Sequence, residues 1–195
     1  MGVFEPVTND TASNKKFYVI IPLKSFDQAA TLNDKIIKDE QYIVNSKSFR
    51  EAVYNNPPFQ RVENILLEKF ALAPFFNLPK LNSNKAERIY ELRSYESATE
   101  SSFTNKVEMF NEGGEIDLFK KLNFNAVFYA KVIAGSHMPN LMYMTSFENI
   151  AEREEHWKLF SKSDEWKKMS SLPHYQNNIS HMDITLMKAA DYSDY

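Results

Sequence analysis

The sequence predicts an α+β protein made of two βαββαβ halves, the second complete and the first lacking its opening strand and helix. Three observations lead there. Aromatic and β-branched runs bounded by turn residues mark strands. Amphipathic stretches at helical spacing separate those runs. Short segments of the second half also recur in the first, in the same order.

In the second half the first strand covers Glu87–Glu96, followed by a helical stretch from Glu100 to Leu122 in which Phe103, Val107, Phe110 and Leu118 share one face. Met109-Phe110-Asn111-Glu112-Gly113-Gly114-Glu115 interrupts it and holds two of the four glycines in the chain. Such a pair permits a kink or a close backbone approach. Strands at Asn125–Ala134 and Leu141–Ser146 flank Gly135–Asn140, a run rich in chain-reversing residues. A helical region runs from Asn149 to Leu172, with Asn149 and Glu152 in capping-box spacing and Ser163 placed to cap a second short helix. The last strand is His181–Lys188. This order is the ferredoxin-like plan, two helices over one face of a four-stranded antiparallel sheet.

The first half offers strands at Gly2–Val7 and Lys16–Leu23, a helix from Phe26 to Val53 and a strand at Arg61–Phe70. Ser25-Phe26-Asp27 leads into its helix as Ser146-Phe147-Glu148 does, and Pro57-Pro58-Phe59-Gln60 parallels Pro173-His174-Tyr175-Gln176. Ile65-Leu66-Leu67-Glu68-Lys69 likewise parallels Ile184-Thr185-Leu186-Met187-Lys188. Residues 1–72 are therefore read as a partial ferredoxin-like half, 73–85 as a linker with Pro74, Pro79 and three asparagines, and 86–195 as the complete half. The elements absent from the first half correspond to Ala86–Asn123 of the second. The natural chain is accordingly expected to be longer.

Composition excludes several functions. The charge of −3, from 23 basic and 26 acidic residues mixed along the chain, offers no concentrated positive face for nucleic acid. With no cysteine there is no disulfide, thiolate nucleophile or zinc–cysteine site. Apolar runs such as Phe17–Leu23 are strand-sized, well short of the ~20 residues of a transmembrane helix. Met1–Glu5 lacks the regions of a signal peptide, which says little if the chain is longer; localisation stays unknown. No GxSxG, P-loop or GxGxxG occurs, which excludes acyl transfer, nucleotide hydrolysis and dinucleotide binding by those routes; none of the four histidines sits in HExxH or another metal-ligand spacing, so no metal site is expected.

Alternation along strands separates candidate site residues. Ile89, Glu91, Arg93 and Tyr95 form one row of the first strand, opposite Arg88, Tyr90, Leu92 and Ser94. In the last strand Met182, Ile184 and Leu186 make the apolar row expected beneath the helices, leaving His181, Asp183, Thr185 and Met187 on the other side. The helix-free face is thus expected to collect Asp183 with Glu91, Arg93, Tyr95 and Tyr143 or Tyr129. A polar row there is either a ligand pocket or a buried ion-pair network. Arg93, with its planar fork, is the natural carboxylate partner, whether Glu91 or a ligand supplies the carboxylate. Asn111 and Glu112 are candidates for a pocket lip, with helix packing as the alternative. His156 reads as a surface histidine or as a haem or metal ligand; Trp157, Phe160, Trp166 and Met169 read as core. The tail Asp191–Tyr195 reads as exposed.

Arg88-Ile89-Tyr90-Glu91-Leu92-Arg93-Ser94-Tyr95 resembles the opening strand of NIPSNAP domains. The resemblance continues through Phe110–Gly114, Met138–Tyr143 and the helices with Trp157 and Trp166. It implies the dimeric α/β-barrel superfamily, whose relatives include haem-degrading and quinone-forming monooxygenases, and it brings no agreed catalytic residues. The first half resembles the degenerate amino-terminal half of bacterial members without its first strand. The function expected is a binding module for a small polar or anionic molecule or for a protein. The alternative is an oxygenase-like enzyme using the same face. No cofactor is predicted, haem stays open, and a homo-oligomer is compatible with the fold.

Overall fold

In the computed structural model, which describes residues 1–7, 15–73, 76 and 78–195, seven strands form one antiparallel sheet in the order β2-β1-β7-β4-β6-β5-β3. The strands are β1 Gly2–Pro6, β2 Tyr18–Ile20, β3 Leu66–Lys69, β4 Ile89–Glu96, β5 Ala126–Ala134, β6 Asn140–Phe147 and β7 His181–Ala189. The helices are α1 Phe26–Ile36, α2 Glu40–Asn45, α3 Lys47–Arg50, α4 Glu100–Phe110, α5 Glu115–Lys121, α6 Ile150–Lys162 and α7 Asp164–Ser170. Pro74, Phe75 and Asn77 of the expected linker lie outside the described residues. The chain forms two compact units, Met1–Ile20 with Ile65–Tyr195, and Ile21–Asn64. Compactness follows contacts and the division at 72 and 86 follows the repeat, so the two need not coincide.

The order β7-β4-β6-β5 is the fourth-first-third-second order of a complete ferredoxin-like half. The first half contributes β1 and β2 beside β7, and β3 beside β5. The second strand of each half therefore pairs with the fourth of the other: β1 with β7, and β5 with β3. That reciprocal pairing is the dimeric α/β-barrel arrangement within one chain. The sheet curls, because Tyr18 and Ile20 of β2 and Leu67 of β3 pack against one cluster with Phe4, Leu92, Phe128, Met144 and Met187.

Local chemistry sets the helix boundaries. Thr99, Asn149 and Ser163 each accept a hydrogen bond from the backbone N–H three residues on, at 3.1, 3.0 and 3.2 Å, capping α4, α6 and α7. Glu152 reaches back to the Glu148 N–H at 2.5 Å, one residue earlier than in a standard capping box. Gly114, at φ 92°, starts α5 in the left-handed region. A Cβ on Gly113 would lie 2.6 Å from the Met109 carbonyl oxygen, so the close approach there excludes a side chain. The helix expected from Phe26 to Val53 is instead three short helices without a buried residue. The tail also departs from expectation: Tyr195 is buried against Phe4 and Tyr90, which pushes its phenol up to about 12.

Residues 81–88 are stitched to the sheet. Glu148 accepts hydrogen bonds from the N–H groups of Asn82 (2.9 Å) and Ser83 (2.7 Å), while Arg88 donates to the carbonyls of Ser83 and Leu81. Those N–H groups hold the Glu148 carboxyl below the usual carboxylate range. A carboxyl lowered on folding stabilises the fold above its unfolded pKa, and the contribution is lost as pH falls through the folded value. Glu148→Gln should therefore lower Tm at pH 7, with the deficit against wild type shrinking below about pH 4. Melts at pH 7 and pH 3 check this, and an equal deficit at both would contradict it.

Candidate functional site

β4 is the central strand, buried along most of its length and hydrogen-bonded to β6 and β7. Residues directly opposite in an antiparallel ladder share a face. Arg93 stands opposite Tyr143 and Ile184, Glu91 opposite Thr145 and Leu186, and Tyr95 opposite Leu141 and Met182. On this side Tyr95, Tyr129, Tyr143 and Leu141 pack with Phe110, Phe119, Phe124, Phe147 and Phe160 beneath the helices. The reverse side carries Tyr90, Leu92, Met142 and Met144.

Within the helix-side core lies a polar network. Glu91 is 0% exposed, and both of its oxygens are occupied. Oε1 accepts from Arg93 Nε at 2.5 Å; Oε2 accepts from Arg153 Nε at 2.6 Å and from the Trp157 indole N–H at 2.9 Å. Arg93 Nη1 donates to the Tyr95 hydroxyl at 3.0 Å, and the Tyr95 and Tyr143 hydroxyls are 2.7 Å apart. The guanidinium carbon of Arg93 also lies 3.6 Å from the Trp157 ring centroid, a cation–π contact. Burial pushes the Tyr95 and Tyr143 phenols up, so both remain protonated.

The structure therefore brings Glu91, Arg93, Tyr95 and Tyr143 together, on the face opposite to the one expected. They lie beneath the helices. Asp183 does stand on the helix-free side, opposite Ser94, and is separated from them by the sheet. Met182 and Ile184 share the helix face but are 42% and 46% exposed, because no β7 residue belongs to the helix-side core. Asn111 is buried; its side chain accepts from the Leu72 N–H (3.1 Å) and donates to the Val107 carbonyl (2.8 Å). Glu112 is exposed. His156 is largely buried, against the rings of Phe124 and Phe147.

Two network members escaped sequence reasoning. Arg153 and Trp157 lie four residues apart on one face of α6, a spacing that was legible, but their partner is 62 and 66 residues away. A second buried ion pair, Lys106 to Glu115 at 2.7 Å, spans the glycine break between α4 and α5. Two open surface depressions, of about 550 and 380 Å³, lie by Asn105, Glu108 and His174 and by Gly114, Lys121 and Met169. Neither is lined by the network. Among the described residues no helix is long and apolar enough to cross a membrane.

Chemically, both oxygens of the Glu91 carboxylate are occupied, and both guanidinium groups are held by it. Removing one member of a buried pair typically costs about 3–5 kcal/mol, because the other charge is left without compensation. Glu91→Ala should destabilise by that amount in urea unfolding. Trp157→Phe, which deletes one donor and keeps the ring, should cost about 1–2 kcal/mol. A Glu91→Ala loss below that of Trp157→Phe would show that Glu91 does not centre the network.

The NIPSNAP family model matches residues 90–194. No curated protein matches the chain. Several solved structures are similar, three of them as follows. An uncharacterised NIPSNAP-like domain protein from Burkholderia xenovorans is 15% identical, covering 56% of this chain and 90% of its own, with a TM-score of 0.50. A NIPSNAP family protein of unknown function from Agrobacterium tumefaciens is 19% identical, covering 57% and 96%, with a TM-score of 0.50. A candidate monooxygenase from Fusobacterium nucleatum is 10% identical, covering 96% of this chain and 75% of its own, with a TM-score of 0.52. At these identities the likeness is one of fold alone. With over half of its 195 residues inside the family model, the chain belongs to the NIPSNAP family.

Proposed function

We propose that this chain is a polypeptide-binding module whose sheet accepts one further strand, with its following helix, between β2 and β3. The observation that carries the proposal is the direction of the two edges. All six neighbouring pairs in the sheet are antiparallel, so β2 and β3 run the same way and cannot pair antiparallel with each other. A single strand antiparallel to both satisfies the two edges at once. The complete half uses that geometry: β4 runs antiparallel to both β6 and β7. By the repeat, β2 corresponds to β6 and β3 to β7. The slot is thus the counterpart of the place β4 fills.

The outer surface supports a helix following that strand. Phe17 and Val19 are 57% and 53% exposed and alternate with the inward Tyr18. The corresponding surface of β6 is covered by α4 and α5, whose Phe110 and Phe119 pack on Tyr143. Apolar side chains left on an edge strand are a strong driver of strand addition. The occupant is therefore an extended segment with alternating apolar residues running into an amphipathic helix, from polypeptide outside residues 1–195.

A small-molecule reading is less well supported. The polar groups expected to hold a ligand are already paired with one another, and the inner face is occupied by Phe4, Tyr90, Leu92 and Met144. An oxygenase-like reading needs room on that same face.

A labelled peptide of residues 86–123 of this chain serves as the probe. It should bind saturably at one per chain, leaving the chain otherwise monomeric. A peptide carrying Leu92→Pro, which breaks the strand, should bind at least about tenfold more weakly. Absence of binding overturns the proposal, as does a concentration-dependent dimer that blocks the peptide, which would make a second copy the occupant.

A further inference from the structure

The end of the inner face carries a cluster that the polypeptide-binding reading does not use. Glu96 ends β4 and stands opposite His181, which begins β7. Asp183, two residues along, projects to the same side. One ligand atom from each of Glu96, His181 and Asp183 lies within 4.8 Å of the others. His181 Nε2 is 3.4 Å from Asp183 Oδ1. His137, in the turn between β5 and β6, brings Nδ1 to 2.8 Å from Glu96 Oε1. That oxygen is closed to solvent and has no properly aligned hydrogen-bond partner.

We propose that Glu96, His181 and Asp183 form a binding site for a divalent transition-metal ion of the Zn²⁺ class, with His137 beside Glu96. Bonds of about 2.0–2.2 Å to a shared tetrahedral ion place ligand atoms roughly 3.3–3.6 Å apart. Closing from 4.8 Å requires only side-chain rotation, and His181 and Asp183, with side chains 59% and 64% exposed, are free to rotate. An imidazole among carboxylates selects against Mg²⁺ and Ca²⁺, which take oxygen ligands, and suits Zn²⁺, Co²⁺ or Ni²⁺. Three protein ligands leave at least one position on the ion open to water or another ligand. The bound ion would tie the start of β7 to the end of β4.

Calorimetric titration of the intact chain with Zn²⁺, repeated with Co²⁺ followed by visible absorbance, tests the site. One equivalent should bind, and 1 mM Mg²⁺ should not compete. His181→Ala and Asp183→Asn should each weaken binding at least about tenfold, in the range of lost metal-site groups. His174→Ala, which removes an exposed histidine beside Glu108, is the control and should bind as wild type. These side chains are exposed, so unchanged melting curves without metal will show that the variants fold. The proposal is overturned by less than one equivalent bound, by equal competition from Mg²⁺, or by His181→Ala and His174→Ala losing affinity alike. Because the site does not involve β2 or β3, its failure would leave peptide binding untouched.

Discussion

The carboxylate of Glu91, fully buried on the central strand, is the constraint around which the helix side is organised. Taking such a group out of water costs several kcal/mol, which only well-placed partners offset. Arg93 supplies one from the same strand, two residues on and so on the same face. Arg153 and Trp157 supply the others from α6. Satisfying Glu91 therefore specifies which face of β4 meets the helices and which face of α6 meets the sheet. Trp157 then has to lie along Arg93, and the aromatic cluster of Phe119, Phe124 and Phe160 packs around that indole. The carboxylate decides the register in which that cluster is buried.

This also explains what could be read from the sequence and what could not. The strand and helix order of residues 86–195 was legible because periodicity, caps and the Gly113–Gly114 break are local signals. The face of β4 was not. A strand covered on both sides carries no useful alternation, and the row with Glu91 and Arg93 looks like the wetter one. It lies under the helices because its partners are on α6, some sixty residues away. In β7 the alternation was informative, and Asp183 does face away from the helices. Its apolar row was expected to be covered, yet Met182 and Ile184 stand exposed, since cover depends on where the helices lie over the sheet.

The first half shows the same limit from another direction. Its repeat with the second half was detectable in short matched segments, and the pairing of β1 with β7 and of β3 with β5 follows the two-half plan. Its helical region carries the apolar residues of one long helix, Phe26, Val44, Phe49 and Val53 among them, yet forms three short helices that bury none of them. Helices of this length owe most of their stability to packing an apolar face. A pattern that reads as amphipathic thus reports the capacity to pack, and exposure of that pattern marks surface still available for packing.

The two faces of the sheet consequently obey different rules. On the helix face, Glu91, Arg93, Tyr95, Tyr143, Arg153 and Trp157 are tied to one another, so substitutions among them act first on stability. On the inner face, an apolar centre ends in Glu96, His181 and Asp183, where the exposed imidazole of His181 and carboxylate of Asp183 lie within reach of one another and of Glu96. A charged group that already has its partners has little left to offer a ligand. One held at the surface, with a carboxylate oxygen beside it lacking an aligned donor, still does. Chemical activity in this chain is therefore to be sought at the ends and edges of its sheet, away from the buried arginine and glutamate that its sequence displays most plainly.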